Sequence, residues 1–466
     1  MSNRALAFTP ERLLQTLGSL PPVKSYIVGY SGGADSTALV HALSKIHEQL
    51  KTPVSAVHIN HGIHSEADHW QKQCEEFCRQ HGVELECIRV ELKNDSGKGL
   101  EAEARHLRYD AITKRLKPGD CLLTAHHADD QAETVLLNLM RGSGVDGLSA
   151  MPESRPLGQG VLQRPLLHFR NSALLNYLLE NNVEWTDDPS NDYLDHDRNF
   201  VRHQVIPLLE KRWPEVGQRL LLSCEAMGDA RHLLEALADE YLGPNLPHPF
   251  VLTITPECHA NTQLFKLVIR RWIRQSKLSS IPVYKLDTFC EQVQHSSSDN
   301  QISVNWDGYI LRWYKSQLWL SEDKALLPCP VINWTREQSD IDLGKDVGQL
   351  SLVHSTSSEH QDGPLIHSFP KGKLSVGYRI NMKESVNHQG GHHKSLKNLF
   401  QSADIPPWLR DAIPLCRLDG ELVALGDWCI AKPFECWLNE KGMRLEWRPQ
   451  HPLLQFITRQ QHRQKH

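Results

Sequence analysis

Ser31-Gly32-Gly33-Ala34-Asp35-Ser36 has the composition of a phosphate seat. Two consecutive glycines let the backbone turn tightly and approach a ligand without interference from Cβ atoms. Where such a turn opens a helix, unpaired N–H groups and the positive end of the helix dipole favour an anion. Ser31 and Ser36 add hydroxyl donors. Asp35 is a poor neighbour for bare phosphate but suits a bridging Mg2+. No Gly-Lys-Ser/Thr follows, so this is not a Walker A motif. We read Ser31, Gly32, Gly33, Ala34, Asp35 and Ser36 as nucleotide-binding, with Asp35 also a catalytic residue and a metal ligand. An isolated Gly-Gly turn with a Ser/Asp helix cap would need no ligand; the place of this one, after the first strand of an α/β pattern, argues for the ligand.

The second constellation runs from Thr124 through His126, His127, Asp129, Asp130 and Glu133 to Thr134, and ends in Arg141-Gly-Ser-Gly144. Asp129 and Glu133 are four apart and Asp130 and Glu133 three apart, so the acids share a helical side. Acids at a helix start complement its dipole, but two histidines and three carboxylates exceed that need. They suit a Mg2+ ion, with Asp130 as a ligand, and the ammonium of an incoming amine. Asp129, Asp130 and Glu133 are therefore catalytic candidates, and His126 and His127 substrate-binding ones. Arg105, in Glu101-Ala-Glu-Ala-Arg105-His-Leu-Arg108-Tyr109, is a further catalytic candidate because it and Arg108 can reach a phosphate; Glu101 and Arg105 also make an ordinary i,i+4 pair. Trp185-Thr-Asp-Asp188-Pro-Ser-Asn191 is turn chemistry. The Arg198, Asn199, Arg202 and His203 that follow are donors suited to a polyanion, and the first three are taken as substrate-binding. His58-Ile-Asn-His61, at the end of the second strand, carries no decisive signal of its own; His58 is taken as a nucleotide-site candidate.

Short β-rich runs at 25–30, 54–59, 85–92 and 121–125 alternate with helical patterns at 37–50, 66–81, 101–116 and 128–140. That alternation implies βαβ units and a Rossmann-like parallel sheet, whose ligand lies beyond the C-terminal strand ends. From about residue 213 helical stretches dominate, at 216–242 and 263–276. A hairpin follows, turning at Asp307-Gly308 between QISVNW and YILRWYKSQLWL. A polar stretch at 355–363 reads as a linker. A third unit carries its own hairpin at Asp419-Gly420, and the tail after Leu454 reads as polar and loose. The expected organisation is a catalytic α/β domain at 1–212, a mainly helical substrate-binding domain at 213–345, and a small α+β domain at 364–450, the last two being the parts to which the resemblance stated below assigns tRNA binding.

The 466 residues carry a net charge of -5, which excludes a uniformly basic nucleic-acid binder but not local basic patches. Eleven cysteines without a CxxC fit neither a disulfide scaffold nor a zinc site. No stretch has the roughly 20 apolar residues of a membrane span, and the N-terminal 20 residues lack signal-peptide features. A cytoplasmic protein is expected.

In order, SGGADS, HINHGIHSEAD, EAEARHLRY, TAHHADDQAETVLLNLMRGSGVDGL, RPLL, WTDDPSN, RNFVRHQVIPLL and SLKNLFQSADIPPWLRDAIPL resemble the tRNA(Ile)-lysidine synthase family, and the first resembles the PP-loop of the ATP pyrophosphatase superfamily. One departure is His64, where the family usually has arginine. The resemblance implies ATP and Mg2+ as cofactors, and as partners free L-lysine and the isoleucine tRNA with a CAU anticodon; it leaves a homodimer open. It implies that ATP adenylates the O2 of the wobble cytidine, that the lysine ε-amine displaces AMP at carbon 2, and that decoding switches from AUG to AUA. The RNA contacts would come from patches: Lys266, Arg270, Arg271 and Arg274 on one helix, and Lys371, Lys373, Lys394, Lys397 and Arg410 in the C-terminal unit, with Lys394, Lys397 and Arg410 the chosen candidates. The alternative is another PP-loop tRNA-modifying enzyme, a thiolase, which would need a reactive cysteine pair or cluster site. A non-catalytic ATP sensor is the rival from another class, and the acidic block argues against it.

Overall fold

Four βα repeats of near-ideal pattern shape the N-terminal half of the computed structural model. It describes residues 7–62, 65–90, 100–187, 196–243, 248–296, 301–326, 331–335, 338–354, 372–378, 385–387 and 393–463. After helix α1 (Pro10–Ser19), the chain alternates β1 (Ser25–Gly29), α2 (Ala34–Leu50), β2 (Val54–Asn60), α3 (Ala67–Gln80), β3 (Glu84–Arg89), α4 (Leu100–Thr113), β4 (Asp120–Leu123) and α5 (Ala128–Met140). A short α6 (Val145–Leu148) leads to the hairpin β5 (Ser154–Leu157) and β6 (Gly160–Gln163), then to α7 (Asn171–Glu180). The sheet order is β3-β2-β1-β4-β6-β5, parallel except for β5.

Alternation along the strands sends side chains to two cores. Val28, Ala56, Cys121 and Leu123 pack with Leu13, Leu39, Leu43, Cys74, Leu174 and Tyr177. Val57, Leu122 and Leu162 pack on the other face with Ile112 and Leu116. A parallel sheet covered on both faces is the expected consequence of helical crossovers. The order reverses between β1 and β4, which pair in register from Ser25↔Asp120 to Val28↔Leu123. Their C-terminal ends therefore open side by side, at the switch point where α/β sheets bind ligands. The observed elements match the expected βα series to within a few residues at each end.

After α7, a continuous helical stretch runs through α8 (Asp197–Phe200), one π-helical turn (Val201–Val205) and α9 (Ile206–Arg212), and α10 (Val216–Leu242) follows. Two compact units divide the chain, Met1–Leu234 and Glu235–His466, so the boundary falls inside α10 rather than at residue 212.

In the second unit, β7 (Val251–Thr253), α11 (Pro256–Ala260), α12 (Thr262–Gln275) and α13 (Val283–His295) precede β8 (Ile302–Trp306), β9 (Tyr309–Tyr314) and β10 (Gln317–Glu322). These strands form an antiparallel sheet in the order β7-β10-β9-β8. Asp307 and Gly308 both have positive φ, as the expected type I′ turn requires. The run at 309–322 is two strands rather than one, because Lys315 and Ser316 also adopt positive φ and reverse the chain. Lys-Ser carries no turn signal.

The remaining strands are β11 (Ile332–Trp334), β12 (Asp340–Asp342), β13 (Gln349–His354), β14 (Leu374–Gly377), β15 (Ser385–Asn387), β16 (His393–Ser395), β17 (Leu415–Leu418), β18 (Glu421–Leu425), β19 (Cys429–Ile430) and β20 (Met443–Arg448). Helices α14 (Leu396–Ser402), α15 (Lys432–Glu440) and α16 (Pro452–Arg463) pack with them. One core joins Val251, Tyr314 and Trp319 to Leu350, Leu374, Phe400, Leu415 and Leu454, so the expected second and third domains share an interior. The linker expected at 355–363 lies outside the described residues.

The tail is not loose. Leu453, Leu454 and Ile457 are buried along α16, Gln461 Nε2 donates to the Ala403 carbonyl at 2.8 Å, and His462 Nε2 lies 3.0 Å from Asp427 Oδ1. Its few apolar residues fall on one helical face, so a polar composition hides a docked helix. Leu454 is fully buried. Leu454→Ala should therefore cost about 2–5 kcal/mol, read as a lower midpoint in urea denaturation; a loose tail would leave the midpoint unchanged.

Candidate active site

The Ser31–Ser36 loop leaves β1 and enters α2 without a side-chain cap on Gly33, the N-cap residue. Gly32 has φ +88°, and a Cβ there would stand 3.0 Å from Cys74 Sγ, so glycine is required on both counts. Ser31 Oγ lies 3.1 Å from Ser36 Oγ, and Ser36 Oγ donates to the Gly33 carbonyl at 3.0 Å. The Thr186 N–H donates to the Gly32 carbonyl at 2.9 Å, so the Trp185-Thr186 segment braces the loop. This explains a motif that on its own reads only as a turn. Its Asp188–Asn191 part lies outside the described residues.

Three helix starts converge here. Asp35 lies in the first turn of α2, Asp129 and Asp130 in the first turn of α5, and Asn171 is the first residue of α7. Asp35 Oδ1 accepts from Asn171 Nδ2 at 2.7 Å, and Asp35 Oδ2 lies 3.4 Å from His127 Nε2. Asp130 Oδ2 lies 3.7 Å from that same nitrogen and accepts the His127 N–H at 3.0 Å. Asp129 accepts the Asn171 N–H at 2.7 Å and pairs with Arg170 Nε at 2.8 Å.

The three acids of α5 do not act as one open face. Glu133 is 1% exposed; its carboxylate lies 2.7 Å from Arg198 Nε and is also paired with Arg202 Nε. Asp130 Oδ1 accepts from Arg198 at 2.8 Å and from Arg202 at 3.2 Å. Glu133, expected on the same helical side as Asp129 and Asp130 as a catalytic candidate, is thus engaged within the protein: a later segment seats two arginines on it. Arg198 and Arg202 stand on either side of Val201, where the π-helical turn begins, and both aim inward. As substrate-binding candidates they are already half committed to protein carboxylates.

His127 is 3% exposed and sits among Asp35, Asp129 and Asp130. Burial alone would lower its pKa, but the Asp35 hydrogen bond and the charges of Asp130, Asp35 and Asp129 together raise it from 6.5 to about 8. Burial would likewise raise the Asp130 carboxyl; the charges of His127, Arg198 and His126 and the His127 N–H instead hold it below the usual carboxylate range. Four carboxylates, at 35, 129, 130 and 133, thus meet three guanidiniums, at 170, 198 and 202, and one imidazolium.

His126 Nδ1 lies 2.9 Å from Thr124 Oγ1. His58 is buried with Nδ1 3.0 Å from the Tyr30 carbonyl, and burial, foremost, lowers its pKa. It therefore supports the strand end just ahead of the loop. Asn199 is half-buried in α8. Arg105 lies in α4, but its side chain and His64 fall outside the described residues.

The basic patches fare unevenly. Lys266 pairs with Asp287, Arg271 with Asp239 and Glu235, and Arg274 with Glu235, so the α12 stripe is largely neutralised by its neighbours; Arg270 is exposed. Arg410 is a correction: it is buried, donating Nε to the Ile405 carbonyl at 3.0 Å with its guanidinium 5.6 Å over the Phe400 ring, and so holds the interior rather than the surface. Lys394 and Lys397 are both exposed, but Lys394 lies in β16 and only Lys397 in α14, with Ser395 capping the helix between them. Lys373 is exposed, and Lys371 lies outside the described residues. Arg170, Asn171 and Thr186 are site residues that spacing did not single out, since their partners are distant in sequence.

The sheet, the loop at its switch point and the acidic cluster beside it define an ATP-using enzyme of the PP-loop class. A profile described as a PP-loop domain matches residues 8–209, and one described as the TilS substrate C-terminal domain matches 374–447. The tRNA(Ile)-lysidine synthase of Alkalilimnicola ehrlichii is 37% identical over 91% of this chain and 94% of its own. That of Coxiella burnetii is 34% identical over 95% and 97%. The chain belongs to the tRNA(Ile)-lysidine synthase family. Among solved structures, the U34-tRNA thiolase NcsA from Methanococcus maripaludis is similar over 47% of this chain and 76% of its own, at 18% identity and a TM-score of 0.39. No helix among the described residues is long and apolar enough to cross a membrane. No disulfide joins the described cysteines.

The His127 imidazolium gives a pH signature. Because its pKa is raised in the folded state, its contribution is fully present below 6.5 and is lost as the pH rises through about 8. The nucleotide-free protein should lose about 2 kcal/mol of stability over that interval. Denaturant titrations across it should show the loss in the parent protein and not in His127→Gln; equal slopes would show that the imidazole is not charged in the fold.

Proposed function

We propose that this chain uses ATP to join the ε-amine of free lysine to carbon 2 of the wobble cytidine in the isoleucine tRNA with a CAU anticodon. The cytidine O2 attacks the α-phosphorus of ATP and pyrophosphate leaves. The lysine amine then attacks carbon 2, gives up a proton, and AMP leaves with the O2 oxygen. The observation that carries this reading is the meeting of three helix starts on Asp35, His127 and Asp130, beside an uncapped glycine loop, in a chain related to lysidine synthases over nearly its whole length.

In this reading the free N–H groups of the Ser31–Ser36 loop hold the phosphates. Asp35 and Asp130 are the residues that would hold Mg2+. Their Oδ2 atoms converge, lying 3.4 and 3.7 Å from the same His127 nitrogen, so two carboxylate oxygens are aimed at one place. Two carboxylates are a short donor set, so phosphates and water would complete the shell, as is usual for this ion. Mg2+ would neutralise charge on the phosphates as pyrophosphate departs. Glu133 anchors Arg198 and Arg202, the guanidiniums that would donate to phosphate. Asp129 and Asp130 are the acids that would face the lysine ammonium, and exclusion of water protects the adenylated cytidine from hydrolysis. Such a reaction belongs in the cytoplasm, and a homodimer is compatible with it.

Incubating the protein with labelled lysine, ATP, Mg2+ and the CAU-anticodon tRNA should yield lysine-bearing tRNA with AMP and pyrophosphate in equal amounts. Asp35→Ala should lower pyrophosphate release by at least about 100-fold. Sulfur incorporation without lysine would instead establish the thiolase alternative.

We also propose that the C-terminal unit contributes tRNA phosphate contacts through the exposed Lys394 and Lys397. Because this unit shares its core with β7, β9 and β10, truncation near residue 350 would cut a common interior, and point variants are the cleaner test. Lys394→Glu with Lys397→Glu should weaken tRNA binding and lower the slope of log affinity against log salt by about 2. An unchanged slope would remove these lysines from the interface.

A further inference from the structure

Asn171 stands 136 residues along the chain from Asp35, yet its Nδ2 donates to Asp35 Oδ1 at 2.7 Å. Its backbone N–H, one of those that a helix start leaves without an intrahelical acceptor, donates to Asp129 Oδ2, also at 2.7 Å. Asp129 in turn is ion-paired with Arg170 Nε at 2.8 Å, and the Ala128 N–H donates to the Phe169 carbonyl at 2.8 Å. The starts of α5 and α7 are thus fastened to each other, and Asn171 is fastened to both before it reaches Asp35.

We infer that Asn171 is a positioning residue for the adenylation step, fixing the Asp35 carboxylate so that Oδ1 is held by the protein and Oδ2 stays directed toward His127 and the nucleotide site. The inference rests on the reading of Asp35 as a nucleotide-site group. The residue type follows from the task. A carboxylate accepts only, so its partner must donate. Arginine or lysine at this place would donate but would also cancel the charge that Asp35 needs toward a magnesium-bound phosphate. Aspartate would set two carboxylates in contact, and alanine or serine cannot span the distance. An asparagine amide orients the carboxylate and leaves its charge intact. Groups that orient a metal-facing carboxylate in this way typically matter by about 10- to 100-fold in metal affinity or activity.

The test uses the full chain with Asn171→Ala, Asn171→Ser, Asn171→Asp and the exchange of Asn171→Asp with Asp35→Asn. Three quantities are read: tRNA-dependent pyrophosphate release, the Mg2+ concentration that half-saturates ATP binding in equilibrium dialysis, and the thermal midpoint of the nucleotide-free protein. Asn171→Ala and Asn171→Ser should lower kcat about tenfold or more and raise the Mg2+ requirement about tenfold, with KM for ATP at saturating Mg2+ within about twofold of the parent. Asn171→Ser keeps a polar helix start and so should hold the parent's thermal midpoint. Asn171→Asp should lose more activity than either. The exchanged pair restores an N–H to carboxylate hydrogen bond and should recover the thermal midpoint without recovering turnover, since an amide would then face the nucleotide. Parental kcat and Mg2+ requirement in the single variants would overturn the inference, as would recovery of turnover by the exchange or a loss confined to KM. A parent protein that releases no pyrophosphate with tRNA would count against the proposed reaction instead, and the Mg2+-linked dialysis would still decide the role of Asn171.

Discussion

Charge balance in a buried cluster is the constraint on which the catalytic half depends. Carboxylates at 35, 129, 130 and 133 are brought together by the starts of α2 and α5, and Glu133 is almost wholly buried. Charges removed from water must be paired and hydrogen-bonded, or they are expelled. Arg170, Arg198, Arg202 and the protonated His127 supply the pairing. Much of the chain after the sheet can be understood through that demand: α7 delivers Arg170 and Asn171, and the helical stretch after residue 196 delivers the two arginines. Arg198 and Arg202 are four residues apart, the spacing that sets both on one helical side, and the π-helical turn that begins at Val201 is a feature frequent at functional sites.

The sheet provides the other half of the arrangement. Because β1 and β4 are neighbours and parallel, the glycine loop and the TAHHADD segment leave the sheet at the same edge. Helix dipoles from α2, α5 and α7 then point their positive ends into one volume. They favour anions there, both the protein's own carboxylates and the phosphates of a nucleotide. Thr186 closes the loop from the far side, so the glycine turn is braced by a segment more than 150 residues later. Helices α2 and α7 are seated on the same core face of the sheet, which sets their starts beside each other.

In the second unit the physical logic is different. A shared interior runs from β7, β9 and β10 to the C-terminal helix α16, with Trp319 and Tyr314 near Trp408 and Phe456. Basic residues on α12 are absorbed by Asp239, Glu235 and Asp287, and Arg410 is absorbed by a carbonyl and a ring. Positive charge in this unit therefore cannot be counted from composition; only a residue such as Lys397, exposed on α14, can meet a polyanion.

Local rules were enough for the sequence to determine the βα series, the uncapped glycine loop at the end of β1, the Asp307-Gly308 and Asp419-Gly420 turns and the family resemblance, because each depends on residues within a few positions of one another. The two-glycine turn and the apolar stripe of α2 are readable from the chain alone. Tertiary structure decided what each charged group faces. Glu133 reads as a helix-start acid and becomes an anchor for two arginines 65 and 69 residues away. Asn171 reads as an ordinary helix-start residue and reaches Asp35; Arg410 reads as surface charge and is buried. The polar tail after Leu454 docks because a cleft for its few apolar residues exists only once the sheets are assembled. Spacing fixes which side of a helix a residue occupies, but the partner on that side, and hence the residue's charge state and role, is set by the packing of distant segments.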